Sequence, residues 1–323
     1  MGKTEKWSAR GVFMVFLLLL MSGCQLNNRP VETIVMTRKD SLCVGLLGRI
    51  NSDSIKSRII RLTSFGTRFA LAPDRRQVAF AVRDMFKRVG YDNAAVDSFQ
   101  ASVTWNGQDY ATWQYNVSAE LVGSIHPDSV NIVGAHYDDI VTNADPFILA
   151  PGADDNASGV AGMIEVARIM KYINYKPAIS IKFVAFGAQE IGLLGSIDYA
   201  QKLVESGRPV GIMLNHDMIA NVISEDYRFW EVRILFHTNS KPLAEGSANL
   251  CLKYIGLYPI GDTVRMKNYD SYSFSAKNIE ALTFTSADSD YNYHLTTDVI
   301  ADSNPTYCSL ITGLTVVILV YYD

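Results

Sequence analysis

Apolar residues recur along the chain in two rhythms. From Ser52 to Val89 they return every three or four positions, broken at Ala72-Pro73-Asp74, which predicts two surface helices. From Val96 to Trp105 and from Trp113 to Val122 they alternate with polar residues and are rich in Val, Tyr and Trp, which predicts an antiparallel pair of strands. Asn131 to Ala135 is a short apolar strand that ends at His136 and is followed by a polar loop to Ala150. A helical stripe then runs from Ser158 to Met170, and Ile179 to Phe186 is a continuous apolar run of the kind shown by a strand covered on both faces. A helix from Gly195 to Ser206, a strand from Val210 to Leu214, and late strands at Trp230 to Phe236 and Ile279 to Thr285 continue the pattern. The apolar stretch from Leu310 to Val320 is short for a membrane span and predicts a packing helix. Strand and helix alternate where the acidic residues lie. This predicts one α/β domain over residues 41–323: an α/β/α sandwich on a mixed, centrally parallel sheet, with functional groups on loops at the carboxyl ends of strands.

The beginning of the chain carries a separate instruction. Lys3, Lys6 and Arg10 precede an apolar run from Val12 to Met21 and then Ser22-Gly23-Cys24, the layout of a secretory signal peptide. A cysteine directly after Ser-Gly predicts a bacterial lipoprotein signal over residues 1–24, with lipid on Cys24 and a polar tether over residues 25–40. The expected location is the bacterial cell envelope, anchored to a membrane through Cys24 and facing the periplasm or the cell surface. A net charge of −4, with no basic run outside the N-terminus, gives no electrostatic footprint for nucleic acid. Cys43, Cys251 and Cys308 lack metal-ligand spacing and read as packing residues.

Candidate chemistry gathers in five segments. They are His136-Tyr137-Asp138, the stretch PGADDNASG from Pro151 to Gly159, Gln189-Glu190, Asp217 in LNHDMIAN, and His294 in YNYHLTTD. Together His136, Asp155, Glu190, Asp217 and His294 supply the oxygen and nitrogen donors that zinc or a similar divalent ion accepts. A pair of ions needs a carboxylate able to bridge them, and Asp155, between a glycine-containing turn and a helix start, suits that place. Asp138 can approach the other ring nitrogen of His136 and fix its tautomer. Their neighbours read more plainly: Asp154 as a helix cap, His216 as a packing residue facing away from Asp217, and Asp139, His126 and His237 as surface or loop residues.

In order, GAHYDD, APGADDNASG, FGAQEIGLLGS, LNHDMIAN and YHLTTD resemble the M28 family of metallopeptidases, which includes bacterial secreted aminopeptidases and, more distantly, glutaminyl cyclases. The resemblance runs from LTSFGTRFA around Arg68 to the final helix. It implies a zinc-exopeptidase-like fold and two divalent metal ions, zinc in the family. One would be held by His136, Asp155 and Asp217, the other by Asp155, Glu190 and His294. It also implies peptide substrates with a free N-terminus, whose scissile carbonyl is attacked by a water activated between the ions.

In the family the residue before the second-metal glutamate is itself a glutamate, which takes the proton from that water and returns it to the leaving amine. Here the position is Gln189. An amide has no protonation equilibrium near neutrality and cannot act as general base or acid, a loss on the order of 10²- to 10⁴-fold in rate. The expectation is therefore a zinc aminopeptidase of the cell envelope, slow at this step or using another acceptor such as Tyr291, Tyr293 or Asp139. The alternative is a metal-binding pseudoenzyme that holds peptide N-termini without turning them over. Third stands a glutaminyl cyclase, whose chemistry also needs the missing glutamate. Phe274, Tyr272 and Tyr291 are candidates for a specificity pocket, which, if lined by aromatic rings, would favour apolar first residues.

Overall fold

The computed structural model describes residues 4–5, 36–263 and 268–323. The expected lipidation site Cys24 and the tether as far as Val35 lie outside the described residues. A mixed sheet forms the spine. In spatial order its strands are β1 (Thr4–Glu5), β8 (Tyr258–Thr263), β7 (Glu231–Phe236), β9 (Glu280–Ser286), β6 (Val210–His216), β4 (His126–His136), β5 (Ile179–Phe186), β3 (Gln108–Leu121) and β2 (Ala95–Trp105). The central strands β9, β6, β4 and β5 run parallel. Antiparallel pairs flank them, β3 with β5 and β2 on one side and β7 with β9 on the other.

Period-two alternation in the central strands feeds two cores. Val133 and Ala135 of β4, Phe183 and Ala185 of β5, and Leu214 of β6 enter the larger core. That core is built with helices α2 (Ser52–Thr63), α3 (Arg75–Arg88), α4 (Gly159–Tyr172) and α8 (Pro305–Tyr321). Val130, Ile132, Val184, Phe186 and Met213 point the other way, onto Tyr199 and Leu203 of α5 (Leu194–Glu205) and Phe274 of the short α7 (Ser271–Ser275). Both faces of the sheet are thus covered, which is why β5 reads as an unbroken apolar run. On the larger side α4 and α8 approach closely at Gly162, where a Cβ would meet Thr312 Oγ1 at 2.8 Å. Buried Glu165 on α4 fastens α2 to this layer. It accepts from Arg58 at 2.9 Å, Arg168 at 2.6 Å and the Asn51 N–H at 2.8 Å.

The fold departs from the expectations at several points. Helix α1 (Arg38–Leu47) starts inside the expected tether, with a capping box between Thr37 and Asp40, so folded structure begins before residue 41. Helix α6 (Lys241–Tyr254) and strand β8 were not foreseen, and β3 starts at Gln108. Phe274 is fully buried in the smaller core with Phe186 and Tyr199. The thiols of Cys43, Cys251 and Cys308 are buried and unpaired. Helix α8 is packed along most of its length as expected, and among the described residues no helix is long and apolar enough to cross a membrane.

Candidate metal centre

The five donors come from segments far apart in the chain and meet at one edge of the sheet. His136 is the last residue of β4, Asp217 follows the last residue of β6, and Glu190 lies in the loop after β5. Asp155 sits in the turn that leads into α4, and His294 in the loop after β9. This is the carboxyl edge of the parallel strands, where α/β sheets place ligands.

The donors form two groups that share Asp155. His136, Asp155 and Asp217 offer ligand atoms all within 4.8 Å of one another, as do Asp155, Glu190 and His294. One oxygen of Asp155 is 3.3 Å from His136 Nε2 and the other is 3.2 Å from His294 Nε2. His136 Nε2 also lies 3.6 Å from Asp217 Oδ1, and His294 Nε2 lies 3.2 Å from Glu190 Oε2. All five residues named from the sequence are therefore brought together, with Asp155 in the middle.

The five donors by themselves form an electrostatically unbalanced arrangement. Burial opposes a charge on His136, yet Asp217 and Asp155 outweigh it and hold the imidazole well above its ordinary pKa. His294 rises to about 10, against its own burial, through Asp155 and Glu190. Burial, and then the charge of Asp155, pushes Glu190 up to about 8. Asp155 Oδ1, Glu190 Oε1 and Asp217 Oδ2 are buried and lack a hydrogen-bond partner. Buried carboxylate oxygens without donors are costly unless something positive satisfies them. Imidazole nitrogens and carboxylate oxygens converging in two groups fit divalent ions of the zinc type.

The backbone around the donors is fixed by side chains of a second kind. Asp298 accepts from the N–H of Asp154 at 2.8 Å and of Asp155 at 3.0 Å. Asn156 donates to the His216 carbonyl at 2.9 Å and accepts from Met218 N at 3.2 Å, locking the Asp155 turn to the Asp217 turn. Arg68 is fully buried and spends its guanidinium on this edge. It donates to the carbonyls of Tyr137, Pro151 and Gly152, each at 2.8 Å, and pairs with Asp139 at 3.0 Å. Gly152 is left-handed, and a Cβ there would meet Arg68 Nη2 at 2.8 Å, so glycine is required. Ala188, Met218 and His294 also adopt positive φ, a conformation non-glycine residues hold only where surroundings impose it.

Several individual expectations change. Asp138 meets His136 through its carbonyl, 3.2 Å from Nδ1, while its carboxylate is 3.8 Å away. That carboxylate instead accepts the N–H groups of Gln189 at 3.0 Å and Glu190 at 3.1 Å, and so sets the loop that carries the fourth donor. Asp139, expected as a surface or loop residue, lies in the loop after β4 but is buried, paired with Arg68; burial lifts its pKa to about 7 against that pairing. Asp154 caps no helix; its carboxylate accepts the Ala220 N–H at 2.6 Å. His216 packs as expected, 2.6 Å from Thr315 Oγ1, and burial lowers its pKa to about 4. His126 is exposed at the start of β4. Gln189 donates its amide to the Asn268 carbonyl at 2.8 Å. Tyr291 is 80% exposed, and Tyr293 stacks on the His294 ring with centroids 3.8 Å apart. Arg68, Asn156 and Asp298 lie within the segments LTSFGTRFA, APGADDNASG and YHLTTD, but the sequence does not show what they support, because partners lie as much as 144 residues away in the chain.

Known proteins can now be set beside this geometry. The family profile described as "Peptidase family M28" matches residues 116–316, more than half of the chain. A probable zinc metalloprotease of Pyrenophora tritici-repentis is 33% identical over 220 residues, covering 64% of this chain and 50% of the relative. Leucine aminopeptidase 1 of Fusarium vanettenii is 28% identical over 238 residues, covering 68% and 58%. Among solved structures, the LapA aminopeptidase of Legionella pneumophila superposes with a TM-score of 0.72 at 20% identity, covering 89% of this chain and 76% of that one. At that identity the likeness concerns the fold. The chain spans about half the length of the curated zinc metalloproteases it matches.

Proposed function

The chain belongs to peptidase family M28, and from that premise we propose that it is a two-metal, zinc-dependent aminopeptidase whose proton-transfer step is weakened at Gln189. The observation that carries the reading is the pair of donor groups joined through Asp155. His136, Asp155 and Asp217 would hold one ion, and Asp155, Glu190 and His294 the other. The chemistry such ions supply is polarisation of a carbonyl and a lowered pKa for water.

The chain's own residues do the rest. Asp155 directs one oxygen to each half of the centre, and Asp298 and Asn156 keep its turn from rotating away. Asp138 holds the backbone of Gln189 and Glu190, so the two side chains leave one short loop with Glu190 aimed at His294. The Gln189 amide can neither take nor return a proton, and its bond to the Asn268 carbonyl is one that a carboxylate could not make. That bond supports a second reading, a pseudoenzyme that binds peptide N-termini without cleaving them. The glutaminyl cyclase alternative has no such observation in its favour. For location, the Ser22-Gly23-Cys24 sequence supports a lipid anchor at Cys24 and a place in the bacterial cell envelope.

The test is hydrolysis of an aminoacyl-anilide panel by the zinc-loaded chain beside Gln189→Glu, with metal content measured on both. We expect both to bind zinc and the substitution to raise turnover by about 10²-fold or more. If both hold zinc and only the variant turns over, the native chain is the pseudoenzyme. If neither retains zinc, the metal reading itself fails.

A further inference from the structure

Helix α3 carries chemistry that the metal centre does not use. Between residues 52 and 88 the chain has nine Lys and Arg against three Asp, in a protein whose net charge is −4. These cations form no linear run, but folding gathers them. Arg76, Phe80, Arg83 and Lys87 recur at the four- and three-residue spacing that puts them on one side of a helix. There they line a groove of about 280 Å³ together with Val96 and Ser98 at the start of β2 and Tyr115, the partner of Ser98 on β3. The guanidinium carbons of Arg76 and Arg83 lie 5.4 and 4.6 Å from the centre of the Phe80 ring, which holds both cations at the groove. Arg83 pairs with Asp84 at 2.7 Å. Among the described residues, Arg76 and Lys87 have no acidic side chain within ion-pair distance.

Among the described residues, strand β2 is the outermost strand on that side and pairs only with β3. The N–H and C=O groups along its outer edge are therefore open to a further strand. A groove that borders the outermost strand and carries a stripe of cations matches an extended chain whose side chains alternate. The geometry points to this groove as a docking site for an extended acidic peptide segment, its main chain added to β2 and its carboxylates placed against Arg76, Arg83 and Lys87. A bilayer is a poorer match, because the cations face into a groove and Phe80 lies beneath two guanidinium groups rather than free to insert. The inference uses no donor of the metal centre and stands apart from the hydrolytic reading.

The test titrates the full chain into a labelled oligoglutamate peptide and follows anisotropy. Oligolysine, oligoglutamine, and anionic and neutral phospholipid vesicles serve as parallel probes. Saturable binding of oligoglutamate alone is expected, about tenfold weaker for Arg76→Glu or Lys87→Glu and weakening further with added salt. An oligoglutamate N-methylated at alternate peptide bonds should bind at least about fivefold more weakly, since it cannot donate to a strand edge. The variants change exposed or half-exposed side chains, and their melting temperatures should match the native one. The proposal is overturned if the folded variants bind oligoglutamate as well as native, or if oligolysine binds equally. It is also overturned if anionic vesicles bind through these residues while the peptide does not.

Discussion

The two donor groups of the candidate metal centre share Asp155 yet are built differently. His136 is 1% exposed and stands at the end of a central strand, and Asp217 follows the neighbouring strand. Glu190 and His294 stand on loops, and the His294 side chain is 20% exposed. The inner half is thus framed by the sheet and by Arg68 and Asn156, whereas the outer half is framed by loop hydrogen bonds, with His294 its more exposed member. A closed half suits holding an ion in fixed geometry, and an open half suits exchange with substrate. The comparison assigns rigidity to His136 and Asp217 and adaptability to Glu190 and His294.

The largest effect should come from the residue that belongs to both halves. Asp155→Asn keeps the shape but removes the charge that each histidine faces, so zinc content measured by mass spectrometry should fall to background. Turnover should drop by more than about 10³-fold, beyond the roughly 10- to 100-fold expected of a group that only orients a ligand. The single-histidine variants then separate the halves. His294→Ala should lose the outer group while its melting temperature in chelator stays near native. His136→Ala should lose the inner group and melt lower as well, because it opens a cavity in a buried site. Equal melting temperatures for the two variants would show that the halves are equally embedded.

The frame of the inner half can be tested without touching a donor. Arg68→Met leaves Asp139 buried without its cation, and urea unfolding should show a loss of about 3–5 kcal/mol. Adding Asp139→Asn to that chain removes the stranded charge and should recover part of the loss. The carbonyls of Tyr137, Pro151 and Gly152 stay unpaired in the double variant, so zinc affinity of the inner group should remain below native even where stability returns. Recovery of both together would mean that Arg68 serves only the ion pair.

The same contrast governs what the sequence disclosed. The central strands and their helices were legible because a doubly covered parallel strand must be apolar throughout, as Ile179 to Phe186 is. The donors were legible because their chemistry is scarce and their segments are short. Helix α6 escaped because Ala244, Ser247 and Ala248 weaken the buried face between Leu243 and the pair Leu250 and Cys251. Strand β8 contains Pro259 and Gly261, which argue locally for a turn and are tolerated here near the sheet margin. The burial of Asp139 was not legible because its partner, Arg68, lies 71 positions earlier. Long-range pairing decides burial of a charge, and one stretch of sequence does not contain it.

The smallest effect belongs to the outer half and probes how a loop residue keeps its aim. The His294 carbonyl accepts from the Thr142 N–H at 2.8 Å, which fixes the backbone, but the ring has no strand behind it. Its support is Tyr293, stacked at 3.8 Å with the rings 23° apart. Such a pair contributes about 0.5–1.5 kcal/mol beyond burial, so Tyr293→Ala should weaken zinc at the outer group by roughly two- to tenfold. Tyr293→Phe keeps the face and should bind as native, since the stack and not the hydroxyl orients the imidazole. Calorimetric zinc titration of native, Phe and Ala chains reads this directly, with the inner group as internal reference. A loss in Tyr293→Phe equal to that in Tyr293→Ala would transfer the role to the hydroxyl. A loss at the inner group as well would dissolve the distinction between the two halves.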